Sequence, residues 1–308
     1  MISRRNIRVK VMQELYACQT DENRTGKSDP VKNLQKQLTQ CKQLFIYLLH
    51  CIVEVARYAE TDARIRSSKN LPSAEDLNVN TRIAGNQVLW KILESSSFKR
   101  ETAGTMNFEE TADQIKRLYN KLKVSEQYQN YIALNSREKK SEKDILVFIF
   151  SELMLPDEPF INHIEDHFSN WDDDAEMMDQ LMMSYLQKPE TFNLSDLIGD
   201  EKTRFAKELL MTTLSKGDYA VELIKPKLKN WDSDRIAVLD MILMQMGVCE
   251  FLYFETIPPK VTINEYIDIA KEYSTEQSGH FINGILDTIH KELLQQNKIN
   301  KIDFKQKA

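Results

Sequence analysis

The segment IPPKVTINEYIDIAKEYSTEQSGHFINGILDTIHKEL, from Ile257 to Leu294, decides the fold class. Its two prolines end the helix that precedes them, because proline lacks the amide donor and restricts the residue before it. After them, apolar residues recur at steps of three and four, first at Ile263, Ile267 and Ala270, then at Phe281, Ile282, Leu286, Ile289 and Leu293. This spacing predicts two consecutive helices, over 261–273 and 276–296, with Ser274 or Thr275 as the cap between them.

The rest of the chain also has helical spacing, and no strand pattern stands out. Only 8 Gly and 8 Pro interrupt 308 residues, which favours long helices over a sheet with many turns. We expect helices over 31–66, 81–93 and 108–134, polar loops over 67–80 and 95–107, and a turn at Lys216–Asp218. Gly279 and Gly284 lie inside the last helix and predict a close helix crossing there. The predicted fold class is all-α.

Charge is distributed unevenly along an otherwise acidic protein. The net charge is −6, yet residues 1–10 contribute +4 and residues 298–308 contribute +3, so the segment between them carries −13. Any nucleic-acid site must therefore be a local patch. No apolar run approaches the ~18 residues of a membrane span. Without a signal-peptide pattern, and with four cysteines that form no CxxC pair, we expect free thiols in a cytoplasmic protein.

A short motif occurs twice. Asn-Trp-Asp stands at 170–172 and again at 230–232, each time between two predicted helices. The Asp can cap the helix that follows, and the Trp can pack across the joint. A duplication and a recurrent way of joining helices explain the repeated motif equally well.

Sequence motifs for catalysis are missing. The chain contains neither GxGxxG nor GxxxxGK[ST], the two commonest nucleotide cradles, and no GxSxG elbow. His163 and His167 share a helix face at the spacing of zinc ligands, but no third ligand is evident. Capping explains the acidic run Asp172–Asp174 more simply than a cation site. We therefore expect no enzyme activity, no cofactor and no metal.

The opening stretch SRRNIRVKVMQELYACQ, residues 3–19, predicts an amphipathic helix. Arg4, Arg5 and Arg8 fall within an arc of about 100°, and Met12 and Tyr16 continue that face. An adjoining apolar stripe contains Ile7, Val11, Leu15 and Cys18. Arginine pairs bidentately with phosphate, and a tyrosine can stack on an unpaired base, so this face suits single-stranded RNA. The alternative is an exposed face whose arginines pair with the acidic body.

Four stretches together resemble the bacterial NusB family. They are RRNIRVKVMQELYACQ, FAKELLMTTLSKGDYAVELIKPKLKNW (205–231), DRIAVLDMILMQMGVCEFLY (234–253) and the segment quoted first. The resemblance implies an all-helical bundle that is not an enzyme and needs no cofactor. It implies a transcription antitermination factor that binds boxA RNA of ribosomal RNA operon transcripts together with NusE, a small-subunit ribosomal protein. RNA polymerase and other Nus factors would then be indirect partners.

By the same resemblance, Arg4, Arg5, Arg8, Tyr16 and Lys260 are expected to contact RNA, and Thr256 and Pro259 to border the RNA or partner surface. The chain departs from the family at Asn6 and Ile7, which interrupt an arginine run, and at Thr256 and Pro259, where some members have an acid and an aromatic residue.

The chain is also about twice the typical family length. We therefore expect a first core helix over 1–20, a helical insertion over 30–200, a C-terminal core over 201–296 and a basic tail over 297–308. A helical interaction scaffold without RNA binding remains an alternative. A relative of the NusB-like domain of RNA cytosine methyltransferases is a weaker one, since no methyltransferase domain follows.

Overall fold

The computed structural model describes residues 2–20, 29–103, 111–228, 236–275 and 277–302. Within these ranges the regular structure is helical, without a strand, so the all-α fold class is confirmed. The chain begins with α1 (Arg4–Thr20) and the long α2 (Pro30–Ser67). None of the described helices has the length and apolar character needed to span a bilayer.

The described residues form two compact units. Unit 1 comprises Ile2 and residues 39–199, and unit 2 comprises residues 3–38 and 200–302. The long helix α2 therefore contributes its first turns, up to Leu38, to unit 2 and the remainder to unit 1.

Unit 1 combines most of α2 with a set of mostly short helices. They are α3 (Ala74–Leu77), α4 (Gln87–Glu94), α5 (Ser96–Thr102), α6 (Ala112–Leu122), α7 (Glu126–Ala133), α8 (Lys139–Phe148), α9 (Glu158–His167) and α10 (Trp171–Gln187). Aromatic rings join them to α2, with Phe45 5.7 Å from Tyr185 and Tyr58 5.2 Å from Tyr119 between centroids. The π-helical turn Ile149–Met154 continues α8.

Capping serines divide unit 1 more finely than periodicity predicts. The predicted loop over 95–107 contains α5, whose first turn Ser95 caps by accepting a hydrogen bond from the amide of Phe98. The single helix predicted over 108–134 is two helices, because Ser125 caps the start of α7. The predicted loop over 67–80 likewise holds α3, which begins at a capping box of Ser73 and Asp76.

The first Asn-Trp-Asp motif joins α9 to α10, but its Asp is not the cap. Helix α10 begins at Trp171, so Asp172 lies in the first turn, where its charge complements the helix dipole. Trp171 is buried. The second copy, at 230–232, lies outside the described residues.

Unit 2 is built around α12. Its helices besides α1 are α11 (Asp200–Ile224), α12 (Val238–Tyr253), α13 (Pro259–Tyr273) and α14 (Ser278–Gln295). Helix α12 is buried on nearly all sides over residues 242–251, as expected for a helix surrounded by others. Helices α1, α11, α13 and α14 all pack on it.

The glycines of unit 2 act only in part as the sequence predicted. The turn expected at Lys216–Asp218 is absent, because α11 continues through Gly217. The close crossing expected at Gly284 is also absent, since a Cβ there would meet nothing within 4 Å. The crossing expected at Gly279 is present, since a Cβ there would lie 3.0 Å from Cγ of Lys271 on α13. A further tight contact lies at Gly247 of α12, where a Cβ would lie 2.9 Å from Cδ1 of Leu286 on α14.

Candidate nucleic-acid interface

Helix α1 packs on unit 2 through the predicted apolar stripe. Ile7, Val11 and Leu15 are buried, and Met12 is buried beside them, although the sequence placed it on the arginine face. With this stripe buried, the exposure of each arginine and of Tyr16 depends on its own neighbours.

Arg4 and Arg5 lie at the surface, as predicted, but each is paired with acids. The side chain of Arg4 is 40% exposed, and its guanidinium pairs with Glu201 of α11. That of Arg5 is 38% exposed and donates to Glu272 Oε2 at 2.9 Å and to Asp268 Oδ2 at 3.3 Å, both on α13. Burial lowers the pKa of Arg5, but the hydrogen bond and charge of Glu272 more than offset this and leave the pKa raised.

Arg8 does not lie on the exposed face that the sequence predicted for it. Its side chain is only 2% exposed and inserts between α12 and α13. Nε lies 2.7 Å from Oε1 of Glu250, Nη2 lies 3.1 Å from Oε2 of the same carboxylate, and Nη1 lies 3.2 Å from Oε2 of Glu265. The prediction of three exposed guanidinium groups is therefore wrong for Arg8. Periodicity placed it on the correct side of the helix but could not show that acids bury it there.

Glu250 is the centre of this buried network. Besides Arg8, its carboxylate accepts hydrogen bonds from the hydroxyls of Thr262, at 3.0 Å, and Tyr266, at 2.8 Å. Burial, the Glu250 charge and the hydrogen bond to Glu250 raise the pKa of Tyr266 well above its usual range, although Arg8 opposes this. Sequence reasoning missed Glu250, but one signal was present: it is an acid near the end of a helix whose other polar residues are Asp240 and Gln245.

Tyr16 is exposed to 45% and lines a cavity. The cavity has a volume of about 500 Å³, and its wall includes Met12, Gln13, Val238 and Tyr273. The wall thus combines two aromatic rings with an amide, a composition suited to a flat heteroaromatic ring.

The turn after α12 and the first residues of α13 carry the remaining predicted residues. Pro259 is the first residue of α13, a favoured position because its missing amide hydrogen needs no partner there. Lys260 follows it, is exposed, and forms no ion pair with any residue that the structure describes. Thr256 is exposed and lines a cavity of about 450 Å³ that Arg4, Arg204 and Phe254 also line. The structure thus brings Thr256 and Arg4 together.

The histidines considered as metal ligands are engaged otherwise. His163 Nε2 lies 2.6 Å from the hydroxyl of Tyr47, and His167 Nδ1 lies 2.8 Å from the carbonyl of His163. Asp174, in the acidic run, is buried and accepts hydrogen bonds from Cys41 and Asn170. Over the described ranges, no three His, Cys, Asp or Glu side chains form a group that could hold a metal ion.

Sequence comparisons identify relatives of the C-terminal part of the chain. The sequence model of the NusB family matches residues 164–291, a range that includes Thr256, Pro259 and Lys260 but not α1. The transcription antitermination protein NusB of Salinibacter ruber is 45% identical over 103 residues, which are 33% of this chain and 64% of that protein. That of Finegoldia magna is 43% identical over 105 residues, 34% of this chain and 77% of that protein. That of Methylacidiphilum infernorum is 44% identical over 94 residues, 30% of this chain and 66% of that protein. The chain therefore belongs to the NusB family.

Proposed function

We propose that this protein is a non-enzymatic transcription antitermination factor that binds boxA-type single-stranded RNA of ribosomal RNA operon transcripts together with NusE. The names of its relatives support antitermination as the process. RNA binding and the NusE partnership follow from the family resemblance and from the chemistry of α1. A role on nascent transcripts would place the protein in the cytoplasm, with RNA polymerase and other Nus factors as indirect partners.

The observation that carries the RNA proposal is the half-exposed state of Arg4 and Arg5. Their acid partners are exposed as well, and such surface pairs contribute only about 0–1 kcal/mol. A phosphate can therefore replace the carboxylate at small cost. A phosphate can also accept two parallel hydrogen bonds from one guanidinium, whereas Arg4 reaches one oxygen of Glu201 and Arg5 divides its donors between Asp268 and Glu272.

Tyr16 and Lys260 add the two other interactions that a single strand offers. Stacking of a base on an exposed aromatic ring contributes about 1–3 kcal/mol in single-strand binders, and the cavity beside Tyr16 leaves room for the ring. Lys260 stands in the first turn of α13, where the helix dipole also favours an anion. The proposed interface therefore runs from the start of α13 to α1.

Fluorescence anisotropy of a labelled boxA-type RNA, over a salt series and with or without the matching NusE protein, tests the proposal. The variant R4A/R5A removes two phosphate contacts, so its affinity should fall and its salt slope should shrink by about 1.4. The control K139A/K140A removes two exposed lysines of unit 1 and should bind as wild type does. Tyr16→Ala should weaken binding, whereas Tyr16→Phe, which keeps the ring, should not.

Two results would overturn the proposal. Wild-type protein that binds no boxA-type RNA even with NusE would favour a helical scaffold. Equal losses in R4A/R5A and K139A/K140A would show that binding depends on overall charge rather than on α1.

A further inference from the structure

We propose that Glu250 and Arg8 are positioning residues, which set the RNA-facing edge without contacting RNA. This inference rests on the proposed function and assigns Arg8 a different role from Arg4 and Arg5. It follows from the number of separate elements that meet at one residue near the end of α12.

The side chain of Glu250 ties α1 to α13. Its two oxygens receive Arg8 from α1 on one side, and Thr262 and Tyr266 from α13 on the other. Thr262 lies two residues after Lys260, so the same carboxylate holds the turn of α13 that carries this lysine. One buried acid thus fixes the position of both helices that carry the predicted RNA contacts.

The backbone at the end of α12 ties down the C-terminal segment as well. The ammonium of Lys301 donates to the carbonyl of Glu250 at 2.8 Å and to that of Phe254 at 2.7 Å. The amide of Ile302 donates to the carbonyl of Glu255 at 3.0 Å, at the start of the turn that contains Thr256. Three elements are therefore anchored where α12 ends.

Arg8 cannot serve phosphate and Glu250 at once. Its Nε, Nη1 and Nη2 atoms all donate to carboxylates, and its guanidinium carbon lies 5.4 Å from the ring centroid of Phe205 and 5.8 Å from that of Tyr266. Removing this buried charge from its partner is costly, whereas the exposed pairs of Arg4 and Arg5 exchange easily. Because Arg8 lies one helical turn after Arg4 and Arg5, its anchoring sets the direction in which they project.

Two variants separate positioning from direct contact, and both are assayed for RNA affinity. Glu250→Gln removes a negative charge; if Arg8 bound phosphate, this would tighten RNA binding. Arg8→Lys keeps the positive charge but loses the planar fork. The positioning role predicts that both variants lose RNA affinity by about tenfold or more.

Glu142 of unit 1 provides a matched control, because it is equally buried and similarly bonded. Its carboxylate accepts from the Tyr131 hydroxyl, the Gln87 amide and the Arg137 guanidinium. Glu142→Gln should destabilise the protein in a comparable way while leaving RNA affinity within about twofold of wild type.

Hydrogen exchange of the free protein gives a readout that needs no RNA. Glu250→Gln and Arg8→Lys should accelerate exchange of the α1 amides, and Glu142→Gln should not. Unchanged α1 exchange, tighter RNA binding by Glu250→Gln, or near-normal binding by Arg8→Lys would each overturn the inference. If wild type binds no RNA, the proposed function fails, and exchange alone then decides whether Glu250 anchors α1.

Discussion

Replacement of Gly247 by alanine tests how closely α12 and α14 approach. A Cβ at this position would lie 2.9 Å from Cδ1 and 3.0 Å from Cδ2 of Leu286, and 3.5 Å from Cδ2 of Tyr266. Leu286 and Tyr266 are themselves fully buried, so neither can move aside without disturbing the core.

The expected size follows from two opposing effects. Overpacking a tight core costs about 1–3 kcal/mol, and replacing glycine by alanine inside a helix gains about 1 kcal/mol. Because the new Cβ meets two atoms of one immobile side chain, we expect overpacking to dominate. The net loss of stability should be about 1 kcal/mol.

Gly284 provides the same substitution in the same unit without the clash. A Cβ there meets nothing within 4 Å, so Gly284→Ala should show the helical gain alone and stabilise unit 2 by about 0.5–1 kcal/mol. The two variants should therefore differ by about 2 kcal/mol. That difference corresponds to about 30-fold in the population of the open state.

Hydrogen exchange of the α12–α14 amides is the appropriate assay, because it reports the stability of unit 2 even if the two units unfold separately. Urea denaturation followed by circular dichroism gives an independent value for the whole chain. A Gly247→Ala variant as stable as wild type, or a destabilised Gly284→Ala variant, would refute the packing argument.

Three further predictions concern other groups that are buried or partly buried. Burial, aided by Arg57, lowers the pKa of His50 to about 4, whereas the unfolded residue binds its proton near pH 6.5. The free energy of unfolding, measured by urea denaturation, should therefore fall by up to about 3 kcal/mol when the pH is lowered from 6.5 to 4. It should fall less in His50→Gln. Lys301→Met should accelerate exchange of the Ile302 amide, since the donor to two carbonyls is lost. Asp157→Ala should destabilise unit 1 by about 2–4 kcal/mol in the same urea assay, because it removes the cap of α9 and a buried partner of Arg117. Asp157→Asn should recover part of this lost stability.

Hydrophobic periodicity predicted the long helices correctly. It failed where a single side chain determines whether a helix begins or continues. The bounds of α2 and α13 differ from the predicted ones by two residues or fewer, because each has a continuous apolar stripe. Helix α5 was missed, since its seven residues are too few to show a period and the capping serine resembles a loop residue. The turn predicted in α11 was wrong because packing overrides the weak preference of one glycine.

The predictions for the candidate site were likewise correct for some residues and wrong for others. The sequence correctly placed Arg4, Arg5 and Tyr16 at the surface, because the opposite stripe of α1 is apolar. It could not predict the burial of Arg8, since the partner that buries it lies 242 positions away in the chain. A buried ion pair between distant residues leaves no local pattern in either segment.

The contrast between Arg8 and its neighbours also bears on why an acidic protein begins with a basic helix. An exposed arginine surrounded by acids is held in place but can exchange its partner, because water and a phosphate both compete with an exposed carboxylate. A buried arginine whose three nitrogen atoms are hydrogen-bonded cannot exchange its partners easily, and the stability of the ion pair depends on the geometry of these bonds. One arginine of α1 can therefore fix the helix while two remain exchangeable. In the proposed interface, the surrounding acids would limit binding to a ligand that supplies several phosphates and a base together, since a single anion cannot displace all of them.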